Sequence, residues 1–374
     1  MQIKLNNALF IPIVIICTLL FSLNLKAQKT IKPNVIAYYT GGGGTVIDSF
    51  PVEKISHLIY SFGHLKGDSL NIHSAKDSAL ITRMVGLKKR NPELKVMIAM
   101  GGWSACQNCS EVFSRNDGRK TFAKTTKDLL DYFNADGIDI DWEYPAVVGY
   151  PGHRYTEADK QNFTLLIKEL RKKLGKKSEI SFAAGGTKNC LDSCFEWSKV
   201  MPLVNRVNLM SYDLVSGYAT TSGHHTPLYN SAQQELSADY AIKVMNNYGV
   251  PSNKIALGAA FYARVFENTT DANQGLYQPT KFIRGVSYKN FNTNFAVENG
   301  FKYYWDDTTK APYYYNATTK NLATFDDPKS IDLKTKYVIK NKLNGIMFWE
   351  FSHDSNNEKS LIKAANDQLG RNYN

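Results

Sequence analysis

Eight short strand-like runs recur along this chain, at residues 35–39, 56–62, 95–100, 136–143, 179–184, 206–212, 255–261 and 345–349. Helix-like stretches stand between most of them, near 74–89, 119–133, 156–174, 195–201, 231–248 and 328–342, and another follows at 358–369. Repeated strand–helix alternation covers a parallel sheet with helices. Eight such strands predict a closed sheet, an α/β fold of the (β/α)8 TIM barrel class, rather than an open one. Thr156-x-x-Asp159 and Ser231-x-x-Gln234 predict capping boxes for two helices, and Asp327-Pro328 opens a third. Residues 266–327 break the rhythm. They are rich in Tyr, Asn, Thr and Phe, and two strand-like runs, 301–305 and 312–315, flank Asp306-Asp307-Thr308-Thr309. The expected plan is a barrel over 28–265, an α+β insertion over 266–327 between strands seven and eight, and a closing helix–strand–helix over 328–374.

Within that alternation, residues 136–145 stand apart. Asp139, Asp141 and Glu143 alternate with Ile138, Ile140 and Trp142. Period two is the mark of a strand, so the three acids share one face and the apolar residues the other. Neighbouring acids are then roughly 6.6 Å apart along the strand. Like charges that close, partly withdrawn from water, cannot all ionise, so at least one carboxyl keeps its proton to higher pH. A protonated acid beside an ionised one is what general acid catalysis requires. Cation sites draw their ligands from loops at irregular spacing, so no metal is expected here. Asp136 falls outside the period and reads as structural.

Residues 1–27 read as a secretory signal: Lys4, an apolar core over 8–23, then Leu25-Lys26-Ala27 as cleavage site. The core is shorter than the roughly 20 residues of a membrane span and contains Pro12, so no stable membrane insertion is expected after cleavage. The mature protein is expected in the periplasm or outside the cell. Cleavage removes Lys4 and Lys26 and takes the formal net charge from +11 to +9. That charge is scattered in short runs such as Lys88-Lys89-Arg90 and Arg171-Lys172-Lys173, without a nucleic-acid module, so no nucleic-acid partner is expected. Cys106, Cys109, Cys190 and Cys194 remain; export favours two short-range disulfides over a zinc site, with the pairing open. His224-His225 lies in a polar stretch and is expected to be solvated.

The motif Asp-x-x-Asp-x-Asp-x-Glu, written here as Asp136, Asp139, Asp141 and Glu143 and followed by Tyr144-Pro145, resembles the signature of glycoside hydrolase family 18, the family of many chitinases. Further segments are similar: Ala99-Met100-Gly101-Gly102-Trp103, Met210-Ser211-Tyr212-Asp213, Gly258 to Arg264, and Gly345-Ile346-Met347-Phe348-Trp349. Tyr303-Tyr304-Trp305 and Phe325-Asp326-Asp327-Pro328 resemble the chitinase insertion domain. The pattern slips at Ala99, at Gly217, at Ala260 and Ala263, and at Tyr288-Lys289-Asn290-Phe291, which bears on the preferred substrate length.

The resemblance implies a chitin or chitooligosaccharide substrate, no cofactor, and a monomer. It implies that the sugar's own N-acetyl oxygen is the nucleophile, with Glu143 as general acid and then base. Asp141 is implied as the partner of the acetamide N–H, Asp139 as the group behind it, and Tyr212 as donor to the acetamide carbonyl. Asp213, Tyr262, Arg264, Trp103, Tyr144 and Trp349 are implied as sugar contacts. The alternatives are an endo-β-N-acetylglucosaminidase acting on N-glycan cores and a non-catalytic chitin-binding lectin.

Overall fold

The computed structural model describes residues 32–42 and 47–371; the expected signal segment lies outside them. Eight parallel strands form a ring: β1 (Asn34–Tyr39), β2 (His57–Lys66), β3 (Lys95–Gly101), β4 (Gly137–Asp141), β5 (Glu179–Gly185), β6 (Arg206–Met210), β7 (Ile255–Ala260) and β8 (Gly345–Trp349). Each pairs with the next, and β1 also pairs with β8, Asn34 opposite Gly345, which closes the barrel. Parallel strands are covered on both faces, and so they read as continuous apolar runs. In β3, residues Val96 to Met100 are at most 1% exposed.

The two faces build separate cores. Ile138, Ile140 and Trp142 join the outer layer beneath the helices, where Trp142 meets Phe113 and Phe163. Inside the ring, Ile36, Tyr38, Ile59, Met97, Ala99, Ala183, Met210, Tyr212, Ala256, Ala260 and Met347 fill the lumen. One inward cluster is charged. Buried Arg206 donates to Glu179 at 2.6 Å, and Glu179 lies 3.1 Å from His57. Burial, then the Arg206 charge, pushes His57 down to about 4, so the imidazole stays neutral.

Asp136 has the structural place expected of it: it accepts the Val96 N–H at 2.7 Å and pairs with Lys88 at 2.6 Å. The helix Pro328–Lys340 begins with Asp327 as cap and Pro328 in its first turn. Two helices start later than their cap signals predict. Asp159–Leu174 begins three residues late, although half of the expected capping box is formed: the Asp159 carboxylate accepts the Thr156 N–H, and it also takes the Ser110 hydroxyl. Ala238–Asn247 is capped by Ser237 instead of Ser231. Gln234 is drawn away by the backbone of His224, at 2.9 Å from its N–H and 2.7 Å from its carbonyl, so the 231–234 segment closes a turn instead.

A second, antiparallel sheet has the order Lys281–Ser287, Tyr262–Glu267, Asn321–Thr324, Ala311–Asn316, Lys302–Asp306. In sequence it begins at Tyr262, two residues past the end of β7 and four ahead of the expected boundary. The hairpin around 306–309 is formed, with Trp305 opposite Pro312.

Two expectations are corrected. His224 and His225 are completely buried, not solvated. His224 Nε2 lies 3.1 Å from Asp306 and the His225 ring packs 5.1 Å from that of Tyr262, so both rings contact the second sheet. Of the two expected disulfides one is present, Cys106–Cys109. Cys190 and Cys194 are buried free thiols one helical turn apart, where Cys194 N–H bonds the Cys190 carbonyl.

Asp326 joins the pieces. Its carboxylate accepts from the Ala260 N–H at the end of β7, from the Thr226 and Ser330 hydroxyls, and from Lys334 at 2.7 Å. The Asp326–Lys334 pair is fully buried on both sides. Removing one partner strands a charge in low dielectric, which typically costs about 3–5 kcal/mol. Asp326→Ala is expected to lower unfolding free energy by about that amount, read as a fall in urea midpoint with unchanged slope.

Candidate active site

The carboxylates of β4 project into the lumen at the end where the strands terminate. Asp139 is deepest and fully buried. It accepts the Tyr38 hydroxyl at 2.8 Å, the Ser181 hydroxyl at 2.5 Å and the Asn208 amide at 3.0 Å, from β1, β5 and β6 respectively. Burial pushes its carboxyl up, while these hydrogen bonds and the charge of Arg206 pull it back. Tyr38, Ser181 and Asn208 were not singled out from the sequence. Ser181 and Asn208 did leave a trace, each being a polar residue inside an otherwise apolar run.

Asp141 is buried, and its Oδ1 has no hydrogen-bond partner. A buried acceptor left unpaired costs about 1–3 kcal/mol, so such an atom points to a missing donor. Burial first, then Glu143 and Asp139, hold the Asp141 carboxyl well above its ordinary range. Glu143, just past the strand, is 8% exposed. Burial raises its carboxyl to about 7; a Tyr144 hydrogen bond opposes the rise and the Asp213 charge adds to it.

The strand ends are shaped for close approach. Gly101 closes β3 at φ +117°, and a Cβ there would lie 2.0 Å from the Asp141 carbonyl oxygen. A Cβ on Gly258 of β7 would come within 2.9 Å of the Tyr212 ring. Tyr212, 8% exposed, thus fits against β7 with its hydroxyl toward Met347 Sδ at 3.8 Å. Burial, then the charges of Asp141, Asp213, Glu143 and Asp139, raise this phenol well above its usual value, so it remains a donor.

Next to Tyr212, Asp213 has φ 57° and holds a second constellation. Its carboxylate accepts the Tyr262 hydroxyl at 2.7 Å and the Arg264 Nε–H, and lies 3.4 Å from His225 Nδ1. Burial pushes Asp213 up, but the bonds to His225 and Arg264 outweigh it and hold the group ionised, well below the usual carboxylate range. Arg264 also lies over the Phe282 ring, 5.1 Å from its centre.

Aromatic rings frame the opening. Trp349, ending β8, stacks on Phe62 at 5.5 Å and contacts Tyr38. Trp103 is 40% exposed and meets Tyr144 and Tyr150 edge-on, so it is no core ring. Residues expected to act together, spread in sequence from Trp103 to Trp349, therefore lie at the same ends of β3, β4, β6, β7 and β8. Among the described residues no group of three or more His, Cys, Asp or Glu side chains is arranged to hold a metal ion.

The sequence model of the glycosyl hydrolases family 18 matches residues 34–354. The chain belongs to glycoside hydrolase family 18. Every residue of the constellation lies within that family 18 match. Among family relatives, chitinase A1 of Niallia circulans is 34% identical over 74% of this chain. The alignment spans 43% of that relative's length. Two solved structures are similar over 90% of the chain. One is a chitinase from Bacillus thuringiensis, at 27% identity and TM-score 0.84, with 70% of its chain covered. The other is a family 18 N-acetylglucosaminidase from Paenibacillus barengoltzii, at 30% identity and TM-score 0.81, with 99% of its chain covered.

The Glu143 carboxyl carries a stability consequence. Its folded pKa, about 7, exceeds the ordinary 4.5, so the fold favours the neutral form. Its contribution is fully present below pH 4.5 and is lost as pH rises toward and through 7. Glu143→Gln, neutral at every pH, is expected to melt higher than the parent at pH 8. The gain should disappear near pH 4.5 in paired thermal melts.

Proposed function

We propose that this family 18 enzyme is a secreted chitinase, hydrolysing β-1,4-linked N-acetylglucosamine chains with retention through the substrate's own acetamido group. The observation that carries the reading is the buried, partnerless Asp141 oxygen beside a Glu143 carboxyl still protonated near neutral pH. One is an acceptor waiting for an N–H; the other is an acid waiting for a leaving oxygen.

On this reading Glu143 protonates the departing glycosidic oxygen while the acetamide carbonyl oxygen attacks the anomeric carbon from the other side. Asp141 accepts the acetamide N–H and stabilises the positive charge that develops on the cyclised group. Asp139, fixed by Tyr38, Ser181 and Asn208, shares a proton with Asp141 and orients it. Tyr212 donates to the acetamide oxygen and keeps it aligned with the anomeric carbon, a positioning contribution of the kind that lowers barriers by several kcal/mol. Glu143, now ionised, takes a proton from the water that opens the intermediate. Trp349 lies under the reacting sugar, Trp103 and Tyr144 flank the groove, and Asp213, Tyr262 and Arg264 contact sugar hydroxyl and acetyl groups. The second sheet serves as an insertion domain that raises one wall of the groove, and residues 1–27 direct export.

A second reading, release of single N-acetylglucosamine units by the same chemistry, is favoured by the similarity to the Paenibacillus N-acetylglucosaminidase. Products from a defined chitin hexasaccharide separate the two: mixed short oligomers for the first, monosaccharide from the start for the second.

Glu143→Gln is expected to reduce kcat by about 10²–10⁴-fold or more while oligosaccharide binding persists; retained turnover overturns the assignment. A fully deacetylated chain should resist cleavage, and normal hydrolysis of it contradicts the acetamido mechanism. Because the acid must start protonated, kcat/KM should fall as pH rises through about 7.

A further inference from the structure

His225 is a buried titratable group with no place in the chemistry above. It is completely buried, and its Nε2 has no hydrogen-bond partner. Its Nδ1 lies 3.4 Å from the Asp213 carboxylate and 3.4 Å from the Asp213 backbone N–H. The His225 carbonyl accepts the Leu214 N–H at 3.0 Å, and its own N–H donates to the Thr324 hydroxyl at 3.1 Å. Its ring packs 5.1 Å from that of Tyr262. The His225 backbone is therefore tied to the second sheet through Thr324, and the ring's Nδ1 lies within reach of the Asp213 carboxylate, to which it donates when protonated, and of the Asp213 backbone N–H, from which it accepts when it is not. Burial, together with the Arg264 charge, disfavours imidazolium, while Asp213 and Asp326 favour it; the balance lies toward the neutral ring.

We propose that His225 is a positioning residue, a clamp in the segment after β6 that fixes the Asp213 carboxylate and with it the negative charge that acts on Glu143. The clamp explains how Asp213 is kept at φ 57°, a conformation that Asp tolerates and few other side chains do. The carboxylate has three protein partners, Tyr262, Arg264 and His225, and its charge also acts on Glu143 and Tyr212. Tyr262 and Arg264 belong to the strand that leaves β7, and Phe282, beneath Arg264, to the strand beside it. Only His225 also contacts the Asp213 main chain among these three partners. An Asp213 held by two side chains alone can swing toward the guanidinium. Its charge would then act on Glu143 from a spread of positions, and more weakly.

The inference rests on the proposed role of Glu143 as the acid, and the test separates the two. An Asn amide superimposes on imidazole Nδ1, and a Gln amide on Nε2. His225→Asn keeps a polar group where Asp213 needs it, and His225→Gln moves that group away. Both variants are assayed for kcat/KM against pH on a chromogenic chitobioside, with melting temperatures in parallel and Glu143→Gln as control. For His225→Gln the alkaline limb is expected about half a pH unit lower, because the Asp213 charge that lifts the Glu143 proton affinity is loosened. KM is expected several-fold higher, and His225→Asn should restore both. A purely structural histidine would lower the melting temperature and leave limb and KM where they are. That result, or identical shifts in both variants, overturns the clamp. Unimpaired turnover in Glu143→Gln would instead overturn the reading of the acid itself.

Discussion

Withdrawing carboxyl groups from water is the interaction on which this structure turns. Charge is costly in a lumen lined by Met97, Ala99, Ala183 and Met347, and Asp139, Asp141 and Glu143 are all at most 8% exposed. The barrel meets the cost in graded fashion. Asp139, at the bottom, receives three donors and the field of Arg206. Asp141, in the middle, is left with an open acceptor. Glu143, at the mouth, keeps its proton to near neutrality. Depth along a single strand thus differentiates three identical functional groups.

Asp213 is the counterexample that makes the gradient work. It is a carboxylate near the same lumen, but Arg264, Tyr262 and His225 keep it ionised. Its fixed charge then feeds back on Glu143 and Tyr212. Two of those partners lie on Tyr262–Glu267, the strand that leaves β7 for the antiparallel sheet, so that sheet supplies groups that hold the Asp213 charge. Asp326 ties the end of β7, at the Ala260 N–H, to the helix Pro328–Lys340.

The barrel was legible in the sequence because parallel strands announce themselves as apolar runs and because Asp139, Asp141 and Glu143 carry strict period-two spacing. What stayed hidden depended on contacts between distant segments. Nothing local to Gln234 shows that its side chain will bond the His224 backbone, so the local sequence places the helix start at 231 instead of 238. His224 and His225 have polar neighbours in sequence but the rings of Tyr313 and Tyr262 against them in space, since the strands that cover them come later in the chain. The three donors around Asp139 come from strands separated from it by 42 to 101 positions. Ser181 and Asn208 could have been suspected as polar interruptions of buried strands; Tyr38, a common strand residue, could not.

Ring closure by β1 against β8 has a consequence for biogenesis. Asn34 and Asn344, whose side chains bond at 3.0 Å, are separated by 310 positions of chain. Until the ribosome has delivered the segment around 345–349, both β1 and β7 present bare backbone edges, the kind of surface that recruits other chains. Non-local pairing of this span is also slow to form. The nascent polypeptide therefore carries two open edges until the segment around 345–349 has emerged, and contact with other chains in that interval competes with closure of the ring.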